Sequence, residues 1–236
     1  MSSSAGPVNF QILGDVVVVD FDDGKANVLT HEVLGQLEDA LDVAQADARA
    51  LVIVGREGKF SAGFDLSVMT AGPDQARDLL ARGARLGLRL FEFPIPVVLG
   101  VTGHALAMGG ILLCCADVRV AGEGAFKIGL NEVRIGMPVP RFAVEICRSR
   151  LTPAAFTQAM HLAMIYDPQT AAVAGFVDEV VPVAEVRDRA LEVATELASS
   201  LHLGPFRITR TNTRGATAAR LRDSLAEDLG EFTVES

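Results

Sequence analysis

Residues 60 to 66 read FSAGFDL, and they follow the apolar run ALVIVG (50–55) after four intervening residues, Arg56 to Lys59. A close-packed strand that gives way to Ser61, Ala62 and Gly63 sheds its side chains, so its backbone can lie against another surface, a ligand included. The plain alternative is a strand-to-helix turn. In it Gly63 takes an unusual backbone angle and Asp65 caps a helix beginning near Leu66. Taken alone the stretch favours the turn, and the rest of the chain has to decide.

Working outward, strand-like runs occur at 15–21 (DVVVVDF), 50–54 (ALVIV), 97–101 (VVLGV) and 118–120 (VRV), each rich in β-branched residues and closed by turn formers. They alternate with helical patterns. Leu34, Leu37, Leu41 and Ala44 repeat at helical spacing after the cap candidate Thr30, and Leu79, Leu86, Leu90 and Phe91 do so before the stop FPIP (93–96). The rhythm is that of an α/β protein with mostly buried parallel strands. From about 140 onward the pattern turns mainly helical, with ALEVATELASSL (190–201) its clearest stretch, interrupted by the strand-like FVDEVVPV (176–183). Beyond the first seven residues there is no low-complexity tract.

A chain of 236 residues, half of them hydrophobic, with one Tyr and no Trp, can bury one substantial core, and nothing in its composition divides it into independent domains. The net charge of -9 argues against an indiscriminate nucleic-acid or anionic-membrane binder but leaves room for a local basic pocket. Three cysteines, Cys114, Cys115 and Cys147, form a poor disulfide framework and suit a reducing compartment. The amino terminus, MSSSAGPVNF, lacks the basic and apolar regions of a signal peptide, and no apolar run approaches the roughly 20 residues that span a bilayer. The expectation is a cytoplasmic protein without nucleic-acid or membrane partners. The four histidines are scattered without metal spacing, so no metal site is assigned.

Three further stretches have the composition to carry chemistry. GHALAMGGILLCCAD (103–117) reads as a buried helix whose amino end, Ala107 to Gly110, presents unpaired N–H groups that can hold developing negative charge. Small residues that merely allow close packing explain it equally well. AFKIGLNEVRIGMPVP (125–140) sets one acid, Glu132, among apolar residues, where desolvation raises a carboxyl pKa toward the range useful for proton transfer. A salt bridge to Arg134 or a helix cap is the bland account. DDGKANVLT (22–30) is a polar loop with Lys25 available for a phosphate and Asn27 for a turn.

Together these stretches resemble the crotonase (enoyl-CoA hydratase/isomerase) superfamily in order and approximate spacing. KANVL (25–29), FSAGFD (60–65), GHALAMG (103–109), NEVRIGM (131–137) and AGFVDEVVP (174–182) each look like one of its motifs. The resemblance implies a ClpP/crotonase-like spiral of repeated ββα units over residues 1–185, followed by a helical carboxy-terminal region, 186–236, for capping and oligomerisation. It implies an acyl-CoA substrate, no cofactor beyond the coenzyme A of that substrate, and a homotrimer or dimer of trimers. Carried over by position, the backbone N–H groups of Phe64 and Met108 polarise the thioester carbonyl, each such donor being worth about 3–4 kcal/mol of transition-state stabilisation. Substrate contacts fall on Lys25, Ala26, Lys59, Ala62, Gly63, Asp65, Leu66, Gly109 and Ile111, with Arg207 or Arg210 as a further phosphate contact. Ser61 to Gly63 are then small because CoA lies against their backbone.

The sequence departs from the family pattern at Met108, where glycine is usual, and at Ile111, where hydratases carry the first of two glutamates. The second matches Glu132. The single carboxylate resembles that of 3,2-trans-enoyl-CoA isomerases, with Glu132 shuttling a proton between the α and γ carbons. A hydratase of fatty acid β-oxidation recruiting another acid, Asp65 or Glu145, stays open, as does a non-catalytic acyl-CoA-binding scaffold.

Overall fold

The structure, a computed structural model, describes residues 6–230. The serine-rich start of the first seven residues falls mostly before this range, and the last six residues of the expected helical region, 231–236, lie beyond it.

Four successive units share one plan, in which a strand of a large sheet is followed by a short strand on a second layer and then by a helix. The first runs β1 (Val8–Leu13) and β2 (Val16–Phe21), then β3 (Val28–Leu29) and α1 (His31–Asp47). The second is β4 (Ala50–Gly55), β5 (Gly58–Ser61), β6 (Gly63–Phe64), the single turn α2 (Leu66–Met69) and α3 (Pro73–Phe91). The third is β7 (Val97–Val101), β8 (Gly103–Leu106) and α4 (Met108–Cys115). The fourth is β9 (Val118–Gly122), β10 (Ile128–Gly129), a 3₁₀ turn (Glu132–Ile135) and α5 (Arg141–Arg148). Then come α6 (Pro153–Leu162), β11 (Ile165–Tyr166), α7 (Pro168–Ala174), β12 (Glu179–Val181), α8 (Val186–Ser200), α9 (Leu203–Arg210) and α10 (Ala216–Gly230).

The large sheet has the order β1-β2-β4-β7-β9-β12, parallel throughout except for the β1–β2 hairpin, and the second sheet has the order β11-β10-β8-β5. The second, third and fourth turns therefore carry the chain from the first sheet to the second and back through a helix, while β3 of the first turn pairs with β6 in a two-stranded sheet of its own. The expected spiral of ββα units is what the chain forms, and its carboxy-terminal region is helical.

Strand alternation builds two cores. One face of the large sheet, with Val17, Val19, Leu51, Ile53 and Leu99, packs on α1 and α3. The other face, with Val16, Val18, Val52, Val54 and Val98, packs on Ala190, Ala194 and Ala198, an alanine stripe at four-residue spacing along α8. Thr30 is the cap of α1, its hydroxyl accepting the Val33 N–H at 3.1 Å.

Two expectations need adjusting. The run at 15–21 is the second strand of a hairpin whose first strand, VNFQIL, was not foreseen because it is an edge strand with partly exposed side chains. The segment 176–183 contributes only Glu179–Val181 as strand, since it pairs on one side alone, with β9.

Candidate active site

Three crossings from the large sheet to the second one converge on a cleft lined by Ala62, Phe64 and Leu66 from the second unit, Ala107 and Ile111 from the third, and Asn131 and Glu132 from the fourth. Met69, Leu80, Met137, Pro138 and Pro140 complete an almost wholly carbon wall.

The FSAGFDL stretch is stitched to the KANVL loop by backbone and side chain. Ala62 N–H donates to Ala26 O at 3.1 Å, and Ser61 Oγ donates to Asn27 O at 2.8 Å. Asn27 is fully buried in the left-handed region at φ 53°, and its Nδ2 donates to Phe21 O at 2.6 Å and Phe60 O at 3.2 Å. Sequence reading gave Asn27 only a turn. Its partners come from two separate strands, which no local pattern announces.

β6 then pairs with β3, Asp65 N–H donating to Leu29 O at 3.3 Å. N–H groups alternate sides along an extended strand, so the preceding Phe64 N–H faces away from β3. Gly63 makes the approach of α4 possible: at φ 90° it needs no Cβ, and one built there would lie 2.9 Å from Ala107 Cβ and 3.1 Å from Met108 N. The N–H of Met108, first residue of α4, is among the helix-end donors that have no intrahelical partner. The start of α4 and the strand Gly63–Phe64 therefore pack against each other beside the cleft. Ala107 holds α4 in this position with φ 50° and ψ -126°, a region that costs a non-glycine residue about 1–3 kcal/mol.

The departure at Met108 is resolved by packing, and so is the place of the Phe64 ring. The Met108 side chain is 1% exposed and its Cε lies beside Gly87 of α3, so it points into the core and leaves the cleft to its backbone. The Phe64 ring sits over Gly83, where an added Cβ would come within 2.3 Å of two ring atoms, so the ring forms a wall without closing the cleft.

Glu132 is 7% exposed, and its Oε2 has no hydrogen-bond partner among the described residues. Burial pushes its pKa up to about 7, against the pull of the backbone N–H groups of Glu132 and Asn131. The salt bridge to Arg134 weighed for it in the sequence does not form, since Arg134 is exposed. Ile111 lines the same cleft with carbon alone.

Other assigned residues are placed differently. Gly109 lies under β5, where a Cβ would come 2.4 Å from Ser61 O, so it serves packing and does not line the cleft. Ser61 is likewise buried and hydrogen-bonded, so its small size answers to α4 and Asn27, not to an adjacent ligand. Asp65 is the cap of α2, its Oδ1 accepting from Ser67 N at 2.9 Å and Ser67 Oγ at 2.6 Å, and Glu145 lies on α5 beside Arg148. Neither lines the cleft, so neither stands in for a second acid there. Lys25 is exposed on its loop and Lys59 pairs with His104 across β5 and β8, both outside the cleft proper. Arg210 is not a free cation for a phosphate: it is 7% exposed and donates to Phe93 O and Asp117 Oδ2, each at 2.6 Å. Arg207 donates to Pro94 O, just before β7 and far along that strand from the cleft. Among the described residues no His, Cys, Asp or Glu cluster could hold a metal, and no helix is long and apolar enough to cross a membrane. All three cysteines are buried free thiols.

The family model described as enoyl-CoA hydratase/isomerase matches residues 11–232. The chain belongs to the enoyl-CoA hydratase/isomerase family. Within it, the chain is similar to human mitochondrial enoyl-CoA delta isomerase 1, 29% identical over 223 residues that cover 92% of this chain and 73% of that protein. It is also similar to the 2,3-dehydroadipyl-CoA hydratase of Escherichia coli, 32% identical over 88% of this chain and 81% of that protein. Among solved structures, an enoyl-CoA hydratase (ECHA3) from Mycobacterium marinum superposes with a TM-score of 0.91 at 41% identity, covering 97% of this chain and 100% of that one. The protein is an enzyme of the crotonase superfamily, and its relatives divide between isomerase and hydratase.

Proposed function

We propose that the enzyme is a 3,2-trans-enoyl-CoA isomerase. The observation that carries this reading is a single buried carboxyl, Glu132, facing a carbon wall that includes Ile111 at the position where the family's hydratases carry their other acid. The thioester oxygen of a 3-enoyl-CoA accepts hydrogen bonds from Phe64 N–H and Met108 N–H. Glu132 takes a proton from the α carbon, the electron pair delocalises onto that oxygen and the γ carbon, and Glu132 returns the proton at the γ carbon. The double bond moves from the 3 to the 2 position with no net gain or loss of protons. A carboxyl whose pKa stands near 7 can both take and give a proton at neutral pH.

The CoA nucleotide lies along Lys25, Ala26 and Lys59, at the loop joined to the cleft rim by the Ala26–Ala62 bond. Electrostatics support that direction: burial and the nearby Lys59 and Lys127 hold His104 below the ordinary imidazole range, as a locally positive edge would. No metal or redox cofactor takes part. Residues 186–236 cap the core and serve assembly into a homotrimer or dimer of trimers, which would cover exposed apolar side chains such as Val173 and Ile208. The reaction belongs to fatty acid metabolism in the cytoplasm.

The test is to supply 3-enoyl-CoA and 2-enoyl-CoA separately and follow the absorbance of the conjugated thioester. It should appear with the first substrate faster than it is lost with the second, and Glu132→Gln should lower isomerisation at least a hundredfold. The opposite order of rates would make the enzyme a hydratase. Binding of both esters without turnover would make it a scaffold, and full turnover by E132Q would remove Glu132 from the mechanism.

A further inference from the structure

The face that α3 turns to the cleft carries a notch. Leu80 lines the cleft, and Gly83, three residues on, lies on the same side of the helix. The Phe64 ring fills the notch: a Cβ on Gly83 would lie 2.3 Å from each of two ring atoms, Cε1 and Cζ. Any larger residue there would turn the ring out of α3, and the open space beside it is the cleft that Phe64 lines.

The room kept open in this way is carbon from floor to lip. Met69, Leu80, Ile111 and Met137 are buried along its depth, whereas Leu66, Ile135 and Pro138 line it and face solvent, Leu66 57% and Ile135 41% exposed. An exposed leucine needs no explanation by itself. Here exposed apolar side chains on two separate elements, α2 and the 3₁₀ turn, continue a buried apolar wall to the surface, and such a wall suits a ligand that is apolar along its whole length. The part of an acyl-CoA built that way is its hydrocarbon tail.

We propose that Gly83 determines the acyl specificity of the enzyme, keeping the cleft wide enough for a long aliphatic chain whose tail runs past Met69 and Leu80 and out over Leu66 and Ile135. Gly83 touches no substrate; it is a positioning residue that acts through the Phe64 ring. This rests on the reading of Phe64 N–H and Met108 N–H as the thioester donors, which places the carbonyl end of the chain at the start of α4. Each methylene moved from water onto the wall strengthens binding up to about fourfold, so affinity climbs with length until the tail passes the lip.

Binding of the saturated esters hexanoyl-CoA and dodecanoyl-CoA is measured by calorimetry, and isomerisation of the 3-enoyl esters of the same lengths by absorbance, for wild type, Gly83→Ala and Leu66→Asn, with thermal midpoints confirming folded protein. Wild type should bind the longer ester at least thirtyfold more tightly and isomerise it with the higher kcat/KM. G83A, in which only the far end of a phenylalanine has to move, should stay folded and lower the ratio of long-chain to short-chain affinity at least tenfold. L66N, a change at an exposed position, should lower that ratio in the same direction. A wild type that isomerises both lengths and binds them equally overturns the proposal alone. So does a G83A that leaves the ratio unchanged or weakens both lengths in proportion, the mark of a merely structural residue. Length-dependent binding without turnover of either 3-enoyl ester would instead overturn the isomerase reading and leave the acyl path standing, and failure to bind either ester would overturn both.

Discussion

At the scale of single residues, Glu132 carries a cost that can be read in stability as well as in rate. Its pKa stands at about 7 in the fold against 4.5 for an ordinary glutamate, because burial disfavours the charged form. Below pH 4.5 the group is neutral folded and unfolded, and it contributes nothing. Between 4.5 and 7 the folded state holds the proton longer, so stability falls as pH rises, and above 7 the full penalty of burying the charge is present. At 1.36 kcal/mol per pKa unit the penalty is about 3 kcal/mol. Glu132→Gln, which the proposed mechanism makes inactive, should therefore be more stable than wild type by up to about 3 kcal/mol at pH 8 and nearly equal to it at pH 4.5. Urea unfolding at the two pH values checks this; an E132Q no more stable at pH 8 than at 4.5, relative to wild type, would place the carboxyl in a more solvated setting. Catalysis should follow the opposite sense, kcat/KM for isomerisation rising with pH as Glu132 ionises through about 7.

Among elements, the contact between α4 and the strands beside it sets the distance between the two backbone donors proposed for the thioester, and Gly109 is its test. In an exposed helix Gly→Ala stabilises by about 1 kcal/mol. Here the new Cβ would lie 2.4 Å from Ser61 O, so α4 must shift and the Met108 N–H with it. Gly109→Ala should destabilise and lower kcat at least tenfold, whereas Gly204→Ala on α9, with no atom within 4 Å of its added Cβ, should keep full activity and equal or greater stability. Thermal unfolding and isomerisation rates of the pair decide, and a fully active Gly109→Ala would mean that α4 tolerates the shift. The same contact explains how much could be read from sequence. The strands of the large sheet, such as Ala50–Gly55 and Val97–Val101, are buried on both faces and so wrote themselves as β-branched runs. The strands that build the site are two to four residues long and exist through pairing with distant segments, as Val28–Leu29 does with Gly63–Phe64, so only their glycines and small residues hinted at them. Glu132 was legible as a lone acid in an apolar stretch. Arg210 was not, because a cation suggests the surface until its buried carboxylate and carbonyl partners are known.

At the scale of the whole molecule, one carboxylate gathers two of the arginines by which the carboxy-terminal helices hold the core. Asp117 stands between α4 and β9 and accepts from Val97 N–H at 2.9 Å, from Arg210 at 2.6 Å and from Arg214 at 3.2 Å. The two arginines also satisfy carbonyls at the end of α3 and α4: Arg210 donates to Phe93 O at 2.6 Å, and Arg214 to Phe91 O at 2.8 Å and Cys115 O at 3.3 Å. Leu221, Leu225 and Leu229 of α10 then join the core that α3 and α5 share. Removing the carboxylate leaves the Arg210 charge buried and uncompensated, a loss of about 3–5 kcal/mol. Asp117→Ala should lose stability in that range at fixed protein concentration, and amide exchange should quicken across Leu203–Gly230 well before it does in β4 or β7. The cleft residues are not among the partners of Asp117, so isomerisation by the protein that remains folded should stay within a few-fold of wild type. Exchange that quickens evenly over the whole chain would mean that the carboxy-terminal helices and the spiral unfold as one unit, and that Asp117 supports both.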